Sequence, residues 1–208
     1  MLQWALGLAV TASITMLPAT VVAGTAGPAD SPILTSNPVI QASLDRIGQG
    51  SRLWQAAVQA IRASGRRAVV LTPDQVVVSE AADGRDGRPF DEGVIAEVAP
   101  VPGHGRRVDV VLVVVNVGLL EQAHASRGSL PGEFDADLDR VLVHEIYGHA
   151  VPYLLAGDLS GRCADPGPRD RPADACAIRR ENAVRAELRL GRRVDVGLEG
   201  LALARRER

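Results

Sequence analysis

The apolar positions of this chain follow two periods. From Ser51 the period is helical: Leu53, Ala57 and Ile61 recur every fourth residue, with Trp54 and Val58 beside them. Ser51 can cap that helix and Gly65 can end it. Residues 67–71, 75–79, 94–98 and 108–117 are instead β-rich. The pairs Asp83-Gly84 and Asp86-Gly87 mark turns between them. The last run is almost continuously aliphatic after Asp109, which predicts a strand covered on both faces. Helical spacing then returns. Leu138, Val141, Leu142, Ile146 and Leu154 form one stripe, with Asp135 or Asp137 as its N-cap and Gly157 at its end. A Pro/Gly/Asp-rich loop follows, and a third helix is expected over residues 172–190, opened by Pro172.

Composition adds bounds. At 208 residues the chain fits one domain. Apolar residues are 46% of it but aromatics only 3%, so the core must be built from Val, Leu, Ile and Ala. The net charge is -2, and the basic residues are scattered Arg with no Lys, which excludes nucleic acid as an expected partner. Residues 2–23 are mostly apolar, precede the first charge at Asp30 and lead into Ala23-Gly24-Thr25-Ala26, the form of a signal peptide over 1–26. The segment has no Lys or Arg at its start, and an uncleaved anchor, needing about 20 apolar residues, is the alternative that would add a membrane partner. A buried N-terminal helix is the third reading. Residues 27–38 read as a linker and 39–208 as a monomeric, exported domain, secreted or periplasmic. In that setting Cys163 and Cys176 are expected to form a disulfide. In the cytoplasm they would be two buried thiols.

The chemistry is concentrated in His144-Glu145-Ile146-Tyr147-Gly148-His149. Zinc peptidases carry His-Glu-x-x-His on a helix, where two histidines four apart share a face. Here they are five apart, about 140° apart on a regular α-helix, too far to share an ion. The spacing therefore predicts a π-type irregularity. Gly148 can take the irregular turn, and Pro152 already removes the N–H that the carbonyl of residue 148 would use. With that irregularity His144 and His149 would bind Zn²⁺, and Glu145 would serve as general base toward a water whose pKa the metal lowers from about 15.7 toward 7. A catalytic zinc needs a third protein ligand. Asp174 and Glu181, two helical turns apart on one face, can each supply it. The blander readings are a first-turn acid at Asp174 and a surface pair of Glu181 with Arg185.

The motif resembles the His-Glu-x-x-Gly-His signature of the dipeptidyl-peptidase III family, over the motif alone. The wider pattern resembles the small zincin domains of bacterial effector and toxin metallopeptidases. It covers roughly residues 41–193, from Gly50-Ser51 at the first helix to Asp174-Ala175-Cys176-Ala177 and Glu181-Asn182-Ala183-Val184-Arg185-Ala186-Glu187. The resemblance implies an α+β zincin-like fold: a small mixed sheet, a packing helix, a zinc helix and a C-terminal ligand helix. It implies Asp174 as third ligand, although Glu is usual there; Glu181 is the alternative ligand or, with Arg185, a residue that supports one of the ligating histidines through its other ring nitrogen.

The expected function is hydrolysis of a peptide bond in a peptide or protein substrate, with zinc as cofactor. A non-peptide amide or ester is the first alternative substrate, and a non-enzymatic exported binding domain with structural zinc is the second. The strand ending near Val117 is expected to be the edge along which substrate lies. Tyr147, Tyr153, His104 and His124 are the candidates for polarising the oxyanion, the two histidines more simply read as loop residues.

Overall fold

The computed structural model describes residues 31–76, 95–102, 107–130, 132–161 and 172–191. In order they form β1 (Ile33–Leu34), α1 (Pro38–Gly50), α2 (Arg52–Ser64), β2 (Arg67–Leu71), a 3₁₀ turn (Pro73–Gln75), β3 (Ala96–Pro102) and β4 (Val108–Val115). Then come α3 (Val117–Arg127), α4 (Glu133–Leu142), a π-helical segment (Val143–Ala150), α5 (Val151–Ala156), a second 3₁₀ turn (Leu159–Gly161) and α6 (Pro172–Glu187). The expected leader, the two Asp-Gly turns, His104 and Cys163 lie outside the described residues.

The architecture is α+β, with one four-stranded mixed sheet in the order β1-β2-β4-β3. β1 and β2 pair in parallel, as do β2 and β4, whereas β3 runs antiparallel to β4. Ala68, Val70, Val108, Val111, Val113 and Val115 are buried, so the aliphatic run is an inner strand as its composition predicts. The expectation that this strand is the sheet edge is corrected: β3 pairs along its outer side. Asn116 N donates to Ile95 O at 2.8 Å, continuing the ladder beyond β4. By the alternation of an antiparallel pair, Ala96, Val98 and Pro100 then turn their backbone groups away from β4. Pro100 thus stands where β4 requires no N–H.

α2 follows its sequence signals: Ser51 Oγ accepts from Trp54 N at 3.1 Å, and Gly65 closes the helix in the left-handed region. Two helices were not anticipated. α1 is capped by Asn37, whose side chain accepts from the amides of Val39 and Ile40, with Pro38 in its first turn and Ile40, Leu44 and Ile47 buried. α3 begins at Val117, where Asn116 stops the strand and caps the helix through Leu119 N. Residue 75 does not open a strand: residues 73–75 make a 3₁₀ turn, because Gln75 Oε1 accepts from Thr72 N at 3.0 Å and closes a capping box, and residues 77–79 of the expected β run lie outside the described residues. One further expectation is corrected. The stripe helix starts at Glu133, before either expected Asp cap, with Gly132 at the N-cap. Glu133 reaches back to Leu130 N, while Asp137 instead meets His124 and Arg140. Ile33 and Leu34, inside the stretch read as a linker, pair with β2.

α4, the π segment and α5 form one run from Glu133 to Ala156, closed by Gly157 in the left-handed region. Leu138, Leu142, Val143, Ile146, Ala150 and Leu154 are its buried stripe. Arg66 Nη1 donates to Leu154 O at 2.6 Å and so meets the carbonyls at the end of this run. α6 packs along the π segment, and β3 also touches it.

Candidate metal centre

Val143–Ala150 is π-helical, with Val151 N donating to Ile146 O, five residues back. In that register residues five apart return to nearly the same face. The Nε2 atoms of His144 and His149 consequently lie 3.3 Å apart, their rings edge to face with centroids 4.8 Å apart. Two imidazole nitrogens each about 2.0–2.1 Å from one tetrahedral ion would be separated by about 3.3–3.4 Å. The pair therefore fits a shared metal.

The pair is supported from α6. His144 Nδ1 meets Glu181 Oε2, and Arg185 Nη1 donates to Glu181 Oε1 at 2.9 Å. A carboxylate accepts, so the proton of His144 sits on Nδ1 and its Nε2 lone pair faces His149. Glu181 is fully buried and Arg185 is 8% exposed, so this charge pair is desolvated and holds its geometry. Arg185 also donates from Nε to Gly191 O at 2.8 Å, tying the exit of α6 to the same network. Both oxygens of Glu181 are thus engaged behind His144.

The side chains of residues 172–175, that of the expected third ligand Asp174 among them, lie outside the described residues. Among the described residues no group of three His, Cys, Asp or Glu side chains converges on a common point. Cys176 is disulfide-bonded, and the sequence holds one other cysteine, Cys163. Glu145, between the histidine and the buried Ile146, is half-exposed.

Gly148 is buried, and a Cβ on it would lie 3.0 Å from Ala177 Cβ and 3.2 Å from Ala177 Cα and O. Its φ is not in the left-handed region, so it is there for the close approach of α6 and not for an unusual turn. Arg180, unremarked at the sequence level, donates from Nη1 to Gly148 O at 3.4 Å. Its i+8 relation to Pro172 carries no signal; only the orphaned carbonyl that Pro152 leaves could have pointed to a donor there.

The oxyanion candidates are placed as follows. Tyr147 and Tyr153 are half-buried and pack against the core. Burial, followed by the nearby Glu187 carboxylate, raises the Tyr147 phenol above its usual pKa, while Arg180 opposes this. His124 is no loop residue: it is buried on α3, its Nε2 3.1 Å from Asp137 Oδ2 and its ring edge to face with Phe134. Its partners belong to the start of α4, not to the histidine pair.

The chain matches no family model, no curated protein and no solved structure. No helix among the described residues is long and apolar enough to cross a membrane.

Proposed function

We propose that this protein is a zinc-dependent hydrolase of peptide bonds, with His144 and His149 as metal ligands and Asp174 as the third. One observation carries the reading: a π register brings the two Nε2 atoms to 3.3 Å while Glu181 holds His144 from behind. A zincin-like arrangement of the domain is part of the proposal. When bound, zinc supplies a water acidic enough to react near neutral pH and a positive charge that polarises a carbonyl.

The chain's own groups supply the rest. Glu145 takes the proton of the attacking water and hands it to the leaving amine. Glu181 and Arg185 keep His144 in one tautomer and one orientation. The outward backbone groups of Ala96 and Val98 on β3, the strand beside the π segment, suit an extended peptide added as one more strand. Pro100 offers only a carbonyl there and limits how far that pairing runs. Export to an oxidising compartment is proposed with it, on the disulfide at Cys176 and the apolar start of the chain.

The test is metal analysis together with cleavage of an unstructured protein. The purified chain should carry about one zinc, lost in His144→Ala and His149→Ala. Glu145→Gln should keep the zinc and lose turnover by at least about 100-fold. Full zinc retention in both histidine variants removes the metal site. Near-normal turnover in Glu145→Gln removes the mechanism. Zinc bound tightly with no exchangeable water and no cleavage of peptide, amide or ester substrates would assign the metal a structural role.

A further inference from the structure

We propose that Arg180 is a positioning residue for the histidine pair: it fixes where the π register stops and so how far His149 is carried round toward His144. This rests on reading the pair as a metal site, but the contact it invokes can be probed without metal.

Pro152 withdraws one N–H from two possible bonds. In the π register the carbonyl of Tyr147 would accept from residue 152. In the α register the carbonyl of Gly148 would accept from the same residue. Neither bond can form, so the last π bond is that of Val151 N to Ile146 O. A carbonyl left without a donor in a buried stretch destabilises the arrangement that strands it. Arg180 answers this at Gly148, donating from Nη1 to its oxygen. It is placed to do so by Ala177, one turn earlier in α6, whose backbone already lies against the bare Cα of Gly148. Helix α6 thus holds the same residue twice, by contact and by a charged donor.

The alternative to the observed register is ordinary α bonding through His149. That would turn the two imidazoles about 140° apart. Arg180 brings a donor to the Gly148 carbonyl from α6, and this donor reaches it while α6 is seated on the π segment. The donor therefore couples the seating of α6, which carries Glu181, to the register that presents His149. His144 and His149 are then set by one helix through two separate contacts.

The experiment uses the full chain with Arg180→Met and Arg180→Lys. In metal-free protein, amide exchange at Val151, whose N–H makes the last π bond, should be about tenfold faster in Arg180→Met. Exchange at Val113, in the inner strand, should stay unchanged. Zinc affinity should fall about tenfold in the same variant. Arg180→Lys, which keeps a charged donor, should recover most of both. Unchanged exchange at Val151 overturns the proposal whatever zinc does. Equal acceleration at Val151 and Val113 overturns it too, as a general loss of stability. Faster Val151 exchange with unaltered zinc affinity shows that the register does not set the pair, and also overturns it. If the wild-type chain takes up no zinc, the metal reading falls separately, and Val151 exchange alone decides whether Arg180 holds the register.

Discussion

A methyl group on Gly148 would press on Ala177 at 3.0–3.2 Å, and two of the three atoms it meets are backbone atoms that cannot swing aside. Gly148→Ala should therefore destabilise the fold by about 1–3 kcal/mol, the usual effect of overpacking. Denaturant unfolding measures this, and an unshifted midpoint would mean that α6 does not approach so closely. A second prediction at this scale concerns the two carboxylates of α6. Asp174→Ala should weaken zinc binding far more than Glu181→Ala, because Glu181 has both oxygens on His144 and Arg185. Glu181→Ala should still lower zinc affinity by about 10–100-fold through the misoriented imidazole. It should also destabilise the fold by about 3–5 kcal/mol, since Arg185 is left buried without its counter-charge. Zinc titration of the two variants separates them, and a metal-free Glu181→Ala beside a fully loaded Asp174→Ala would exchange their roles.

At the scale of elements, α6 joins the π segment to α2. Its Ala177 and Arg180 meet the π segment, its Glu181 holds His144, and its Glu187 reaches the start of α2. Ser51 Oγ donates to Glu187 Oε2 at 2.5 Å, and Leu53 N donates to the same oxygen at 3.1 Å. Beside this junction a Cβ on Gly50 would lie 2.6 Å from Leu188 Cδ2, the tip of a side chain that would have to turn aside. The hydroxyl of Ser51, then the amide of Leu53, hold Glu187 below its usual pKa of 4.5. A depressed folded pKa means the unfolded chain binds the proton more tightly. The stabilisation is therefore fully present above about pH 4.5 and is lost as pH falls through the lower folded value. Wild type should lose more stability than Glu187→Gln between neutral pH and the acid range. Parallel stability-against-pH curves for the two would show that the junction carries no such linkage. Ser51→Ala removes the N-cap as well and should weaken α2 by about 1 kcal/mol at neutral pH.

For the whole molecule, a single apolar cluster runs from α1 and α2 through the sheet to α4, the π segment and Val184 of α6. The site helix is held on both sides, by the core on its stripe and by α6 on its Gly148 side. The disulfide at Cys176 stands one residue before Ala177, the point of closest approach. Reduction should therefore act on the site as well as on stability. We expect a loss of about 3 kcal/mol and weaker zinc binding, followed by thermal unfolding and zinc titration with and without a reductant that does not chelate. Unchanged zinc affinity after verified reduction would separate the crosslink from the seating of α6.

Local chemistry was legible in the chain itself. Ser51 and Gly65 bracket α2 because a hydroxyl cap and a left-handed closing residue act within one turn. The five-residue spacing of the histidines pointed to a π register on the premise that the two share one ion, and the segment is π-helical. The aliphatic run over Val108–Val115 announced a strand buried on both faces. α1 was hidden by its Pro- and Ser-rich approach, although Asn37 and Pro38 carry its start signal; α3 was hidden because the valine run continues to Val117 past the Asn116 cap. What no spacing could reveal was pairing across the chain. That β3 covers β4, that Gly148 faces Ala177, that Arg180 reaches the carbonyl to which Pro152 offers no N–H, and that Glu187 caps α2 all depend on which surfaces pack together. Those contacts join residues far apart in sequence, so only the folded arrangement of α6 against the π segment and α2 decides them.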